Sequence, residues 1–298
     1  QGNDNIGNFR YTDVFNIVNS DNHIGTSFAA KGTKDITWET NTNFNIGAEF
    51  QLWNRVTGSI EYYYRKTSDM LFSFSVAPSL GYASYLDNVG SMINTGVEMD
   101  VNINLFDKRN FTWDVNLNMS TLKNRLKTLD NDKKVSTEYT ADGKAYKGYS
   151  SGSFFIAEDL SMYTWRLKDY AGVNENGESM WYINKKDEAG NIIGRETTTN
   201  WSKADYYITE ESSIPKVFGG FGTKLKVYGI DFGINFTYQL GGKSVDGTYA
   251  YFMSSPSGTP GSNYHKDLYK AWTPDNPNSN IPRFQMNDQY SAATSTRF

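Results

Sequence analysis

The chain has 298 residues, 38% of them hydrophobic and 21% charged, with a formal net charge of −4 and a mean hydropathy of −0.61. Its longest apolar run spans residues 249–253, whereas a membrane helix needs about 20 such residues. No basic start leads into an apolar stretch and a cleavage site, so neither transmembrane helices nor a secretory signal is expected in these residues. Cysteine is absent, and His23 and His265 are the only histidines. This removes disulfides and thiolate chemistry and leaves little for a metal centre, so no cofactor or metal is expected. With 29 basic against 33 acidic residues, nucleic-acid binding is not expected either.

Taken in order, the chain is organised by period-two alternation. The first strands are predicted at about 42–53 and 56–66, joined by a tight turn at Asn54 and Arg55. Phe44, Ile46, Ala48, Phe50 and Leu52 share one face of the first, opposite Asn43, Asn45, Glu49 and Gln51. A loop is expected over 67–95. Strands at 96–106 and 111–123 follow, with Val97, Met99, Val101, Ile103 and Leu105 opposite Glu98, Asp100, Asn102 and Asn104, and no slip in the pattern. After a turn at Asp107 to Asn110, Phe111, Trp113, Val115, Leu117 and Met119 alternate with polar residues that include Asp114. A second loop is expected over 124–215. The last strands are predicted at 217–227 and 230–240, turning at Tyr228 and Gly229, with Asp231 among the polar residues of the return strand. A third loop is expected over 241–295.

Tight turns at one end, long connections at the other and strands of nine to eleven residues define the fold class. The chain reads as all-β, an antiparallel transmembrane β-barrel with short periplasmic turns and long extracellular loops. A soluble sandwich also alternates, but three features favour the membrane. The strands exceed the usual five or six residues. Aromatic residues stand near strand ends, where Trp53, Tyr62, Phe106, Trp113, Tyr228 and Tyr238 are candidates for girdles at the bilayer interfaces, in contact with outer-membrane lipids. The other face is hydrophilic, and Glu49, Glu98, Asp100, Asp114 and Asp231 are expected to face a wet lumen. Six strands cannot close a barrel, since the smallest have eight, so a part of a larger barrel is expected.

Several segments, in order, carry a family resemblance: ITWETNTNFNIGAEFQLWNRVTGSIEYYYRKTSDMLF (36–72), NVGSMINTGVEMDVNI (88–103), FTWDVNLNMSTLKNRL (111–126), KDYAGVNENGESMWY (168–182), IPKVFGGFGTKLKVYGIDFGINFTYQLGGKSVDGTY (214–249), AWTPDNPNSNIPRF (271–284) and STRF (295–298). Together they resemble the SusC/RagA-type TonB-dependent outer-membrane transporters of Bacteroidetes. The resemblance implies a 22-stranded barrel, plugged by an N-terminal domain, that imports large nutrients, most often oligosaccharides. It further implies a SusD-like surface lipoprotein as a lid, energy from the TonB complex acting through an N-terminal box, and room for a dimer of transporter–lipoprotein pairs. The plug and the box have no counterpart in these residues, so the chain is expected to be a piece from the C-terminal half of the barrel, cut at Phe298.

Motifs that would carry other chemistry fall short. Gly242-Lys243-Ser244 lacks the earlier glycine and the helix of a phosphate-binding loop, since Thr237 stands where that glycine belongs. Gly219, Gly220 and Gly222 lack the helix of a dinucleotide site and are expected where the barrel wall meets the plug or a loop. Asp130-Asn131-Asp132 lacks the glycine and the bidentate glutamate of a calcium loop. No nucleophile signature accompanies either histidine, so no catalytic residue and no enzymatic activity is expected. The aromatic stretch 150–182 has two readings: its rings pack the loop on itself or on the lid lipoprotein, or they contact ligand, in which case Phe154, Tyr163, Trp165 and Trp181 are the candidates for stacking on a sugar, with a peptide as the alternative ligand. A surface β-sheet binding or adhesion protein is the alternative class.

Overall fold

A computed structural model describes residues 10–20, 23–82, 84–254, 263–285 and 295–298. Strands β1 (Val14–Ser20) and β2 (His23–Ala30) form a separate hairpin. The first long hairpin is β3 (Thr40–Leu52) with β4 (Val56–Ser68), followed by the short pair β5 (Leu71–Ser75) and β6 (Ser84–Asn88). The second long hairpin is β7 (Gly90–Lys108) with β8 (Phe111–Thr121), and β9 (Lys123–Leu129) extends β8 beyond Leu122. Eight short strands come next: β10 (Ser136–Thr140), β11 (Ala145–Ser151), β12 (Phe154–Ala157), β13 (Thr164–Lys168), β14 (Tyr170–Val173), β15 (Ser179–Lys186), β16 (Ile192–Thr198) and β17 (Tyr206–Ser212). The third long hairpin is β18 (Val217–Val227) with β19 (Ile230–Leu240), and one short helix, α1 (Gly247–Phe252), follows it.

The described residues fall into two compact units. One comprises 1–135, 156–162 and 214–242, the other 136–155, 163–213 and 243–298. The first is built on an antiparallel sheet in the order β19-β18-β8-β7-β4-β3, with β9 beside β7. Its turns at 53–55, 109–110 and 228–229 lie at one end of the ladder. Tyr228 and Gly229 have φ of 46° and 89°, the two positive values that a two-residue hairpin of matching twist requires. The turn expected over four residues, Asp107 to Asn110, is only Arg109 and Asn110, because Asp107 and Lys108 still pair with Thr112 and Phe111. Against β8 the register of β7 also slips once, between Asn104 and Phe106. That bulge corrects the expectation of unbroken alternation: Phe106, not Leu105, pairs with Trp113, and the two rings stack at 5.9 Å.

Register decides which side chains share a face. Ala48, Ile60, Met99 and Met119 form one row, and Leu117, Phe221 and Phe236 continue the same face in the next. Much of this face is open: Phe44 is 56% exposed and Phe232 57%, with Ile46, Ile60, Ile230 and Leu240 similarly bare. An apolar patch of this extent would be a liability in water and is what a lipid-facing wall requires. The outer strands β3 and β19 each have one edge without a strand partner among the described residues. Unpaired backbone groups cannot stand in lipid, so the sheet is an arc that further strands must continue into a closed barrel.

Three aromatic–glycine pairs stiffen the arc. Phe50 lies over Gly58, Tyr63 over Gly96 and Tyr238 over Gly219. Missing side chains let the Tyr63 hydroxyl donate to the Thr121 carbonyl at 2.9 Å and the Tyr238 hydroxyl to the Asn118 carbonyl at 3.0 Å, each one strand further on. Gly219 therefore has a role within the wall, which a plug contact does not require. At the end opposite the tight turns, Val89, Leu126, Leu129, Ile156 and Leu160 form a buried core where 156–162 docks along β9. Lys133 is sealed there against Asp87 (2.5 Å), Asp132 and the Tyr85 hydroxyl, over the Phe74 ring. Burial opposes its charge, but those hydrogen bonds outweigh burial and hold its pKa above the ordinary lysine value.

In the second unit, β10, β11, β12, β13 and β17 close on themselves, and β14, β15 and β16 form a separate meander. The span 124–215, expected as irregular, is thus folded into strands of its own. The expected loop 241–295 contains α1 and a turn of 3-10 helix at Lys266–Lys270, and lies in part outside the described residues.

Substituting Gly96→Val would drive a side chain into the Thr121 carbonyl and displace Tyr63. Overpacking of this kind costs about 1–3 kcal/mol or more. The expected result is a lower midpoint for the loss of heat-dependent gel mobility in the full-length receptor, with Ser59→Val, on an open part of the same face, causing a smaller change.

Candidate functional site

The structure places the sequence-derived candidates on three surfaces. On the apolar face, Trp53 lies in the β3–β4 turn and is largely exposed, with φ of 51°. Tyr228, Phe106 and Trp113 are at the same end, and Trp113 donates its indole N–H to the Thr223 hydroxyl at 2.7 Å. Tyr62 and Tyr238 are displaced toward the opposite end of the ladder. Tyr238 stands eight residues along β19 from Ile230, the first residue after the Tyr228–Gly229 turn. At about 3.3 Å per residue and a tilt of about 45°, that is roughly 19 Å along the membrane normal, within the height of a barrel's apolar band.

On the opposite face, Glu49, Glu98, Asp100, Asp114 and Asp231 are brought onto one polar wall. Ser59 pairs with both Glu49 and Asp100, Glu61 stands directly across from Glu98, and Lys224 and Lys226 oppose Asp114 and Asp231. Ser120 donates to Glu98 at 3.3 Å and Asn102 to Asp100 at 2.8 Å. A shallow hollow of about 290 Å³ is lined by Ser59, Glu61, Glu98, Asp100, Asn118 and Phe218 among others. Acids facing each other across a ladder are repulsive unless water screens them, which suits a hydrated wall.

The third surface belongs to the second unit. Phe154 and Trp165 pair across β12 and β13 with ring centroids 4.5 Å apart, and Tyr163 meets Phe154 edge-on at 5.6 Å. Tyr163 is 51% exposed and the other two are half-buried. A register shift between Thr164 and Arg166 places Trp165 at a bulge. Its indole N–H donates to the Lys243 carbonyl at 2.9 Å, which holds the ring in place. The neighbouring Arg166 is paired to Glu138 at 2.7 Å and stacks on Tyr206.

Trp181 does not belong with them. It is 2% exposed, packed edge-on against Trp201 at 5.1 Å and near Tyr170. The expectation that it contacts ligand is corrected: in the centre of a small three-stranded sheet, an indole is the side chain that excludes most water.

Two cations that the sequence reading passed over flank this core. Lys168 is buried, donates to the Trp201 carbonyl and lies over the Trp201 ring, and burial pulls its pKa below the ordinary lysine value against the attraction of Asp205. Arg195 pairs with Asp169 and stacks on Tyr182 at 3.6 Å. Neither has a local signal, because the partners are brought together by strand pairing and not by spacing along the chain. Asp132, proposed above only as part of a failed calcium loop, pairs with Lys133. Among the described residues no group of three or more potential ligands converges on a metal position.

A sheet that is apolar and bare on one side, polar on the other and open at its edges is the wall of an outer-membrane β-barrel. Comparison with known proteins supports that class. The family model described as TonB dependent receptor-like, beta-barrel matches residues 1–182. TonB-dependent receptor P3 of Formosa agariphila is 24% identical over 280 residues, covering 92% of the chain and 27% of that protein. TonB-dependent receptor SusC of Bacteroides thetaiotaomicron is 26% identical over 239 residues, covering 72% and 24%. The solved structure of the RagAB peptide transporter superposes with a TM-score of 0.76 at 23% identity, covering 94% of the chain and 30% of that one. The chain therefore belongs to the TonB-dependent receptor-like β-barrel family, is similar to receptors of the SusC/RagA type, and is an outer-membrane protein. It spans about a quarter of the length of the relatives it matches.

The two classes of aromatic residue separate by mutation. Trp181→Ala should destabilise the β14–β16 meander by about 3–5 kcal/mol, seen as faster amide exchange over 170–198. Tyr163→Ala should leave that exchange unchanged.

Proposed function

We propose that the chain forms part of the wall and outer loops of a TonB-dependent importer of large nutrients, with oligosaccharides as the substrate class. The observation that carries this reading is the cluster of Phe154, Tyr163 and Trp165, fixed by cross-strand pairing and by the bond from Trp165 to Lys243, yet with Tyr163 half open. A pre-positioned aromatic surface stacks on the apolar face of a sugar ring at little entropic cost, while nearby backbone and amide groups supply hydrogen bonds. In this reading Glu49, Glu98, Asp100, Asp114 and Asp231 line a hydrated lumen that passes a bulky polar solute without binding it tightly. Trp53, Tyr62, Phe106, Trp113, Tyr228 and Tyr238 anchor the wall at the two interfaces. Import also requires a SusD-like lipoprotein on the loop side and the TonB complex on the periplasmic side, and transporter–lipoprotein pairs can dimerise. The membrane-facing arc disfavours a free surface adhesin, since that protein would bury its apolar face in a second sheet.

The test is binding and uptake by the full-length receptor with its lipoprotein, offered a panel of oligosaccharides and of peptides. Trp165→Ala is expected to weaken binding of the transported oligosaccharide about tenfold, which corresponds to the loss of about 1.4 kcal/mol of aromatic contact. Uptake of peptides alone, with no oligosaccharide accumulated, would overturn the substrate assignment.

A further inference from the structure

On β4, β7 and β9 the outward face changes character abruptly. Within the apolar band it carries Val97, Met99, Tyr62 and Ile60. Two residues beyond Tyr62 is Tyr64, and two further is Lys66. β7 runs through this region without a register shift against β4, so Tyr64 pairs with Thr95 and Lys66 with Ile93. The other edge of β7 pairs Thr95 with Lys123 and Ile93 with Arg125. Directly paired residues point to the same side of a sheet, so Lys66, Lys123 and Arg125 all stand on the side that carries the lipid-facing residues. Lys66 and Arg125 share one row, two strands apart, or about 10 Å at the usual strand spacing. Lys123 is in the row beneath, which it shares with Tyr64 across Thr95 of β7.

Both Lys123 and Arg125 are exposed, and Lys66 is half-buried. Arg125 has one partner, Asp159, at 3.6 Å, with side chains 45% and 66% exposed, a geometry of little energetic weight. Lys66 and Lys123 have no ion pair among the described residues. β7 is 19 residues long, about 60 Å of strand, or roughly 45 Å along the normal at a barrel's tilt. The apolar band accounts for only about 25 Å of that. The strand therefore emerges on the long-loop side, and the three cations stand where it emerges, Lys123 in the row of Tyr64 and Lys66 and Arg125 one row past it.

We propose that Lys66, Lys123 and Arg125 form a binding site for the phosphate-bearing headgroup of an outer-leaflet glycolipid. Three flexible cations within reach of one another, at headgroup depth and next to tyrosine rings, match a phosphate attached to a sugar whose acyl chains lie along Ile60, Val97 and Met99. A ligand in bulk water would have no use for the adjoining apolar stripe, which points to a lipid and not to free phosphate.

The test uses the full-length receptor in detergent, titrated with diphosphorylated lipid A and with the same lipid enzymatically stripped of phosphate, followed by native mass spectrometry. The diphosphorylated lipid should be retained at least about tenfold more tightly than the stripped one. The variant Lys66→Gln/Lys123→Gln/Arg125→Gln should lose that preference while keeping its heat-dependent gel mobility. Equal retention of the two lipids by the unaltered receptor would overturn the proposal without reference to any variant. So would full displacement by equimolar inorganic phosphate, which would mark a site for the soluble anion, or an unchanged preference in the triple variant.

Discussion

In a membrane without helices, every backbone N–H and C=O must find its partner on a neighbouring strand, and the rest of this structure depends on that requirement. From β3 to β19 the ladder is laid down antiparallel and nearly in register. Once it is, side chains have only two directions to take, and the chemistry of the whole wall reduces to which residues are odd and which even. The bare Phe44, Phe232 and Ile230 on one side and the facing Glu61 and Glu98 on the other are consequences of a single choice of register. A slip by one residue would put the acids in lipid.

Where the ladder is weakened, aromatic rings compensate. Glycines in strands give up packing and entropy, yet Gly58, Gly96 and Gly219 each make room for a ring from the neighbouring strand, and two of those rings end in a hydroxyl that reaches a carbonyl on the strand beyond. Three strands are thereby tied at one point. In the second unit the design changes. Short strands, buried indoles and stacked cations replace alternation, with Trp181, Lys168 and Arg195 forming a conventional water-excluding core.

This division explains what could be read from the residues alone. The long hairpins were legible because one face must be apolar throughout, so a period of two persists over ten residues, and the family resemblance identified the kind of barrel they belong to. The bulge at Leu105 was not legible, since Leu105 and Phe106 are both apolar and either could pair with Trp113. Nor were the strands of 136–212, whose burial follows no single face and which pair over long separations, as β10 does with β17. Among the site candidates, composition located the aromatic cluster of Phe154, Tyr163 and Trp165 but could not separate it from Trp181. All four are aromatic residues in one stretch, and only strand pairing determines which is interior. The row of Lys66, Ile93 and Arg125 was invisible for the same reason, as its members are brought together by register across β4, β7 and β9.

A lipid-facing wall requires the long sheet to be two-sided. The chain has no cysteine, so single cysteines can be introduced at successive positions of β19, from Ile230 to Phe236, in the full-length receptor reconstituted in bilayers, and each labelled with a nitroxide. Collisional relaxation by oxygen and by a water-soluble nickel chelate then reports lipid and water contact at each position. Even-numbered positions should favour oxygen and odd-numbered positions the chelate, alternating at every step. Uniform access to the chelate along the strand, or alternation of the opposite phase, would contradict a wall that faces lipid with Ile230, Phe232, Ile234 and Phe236.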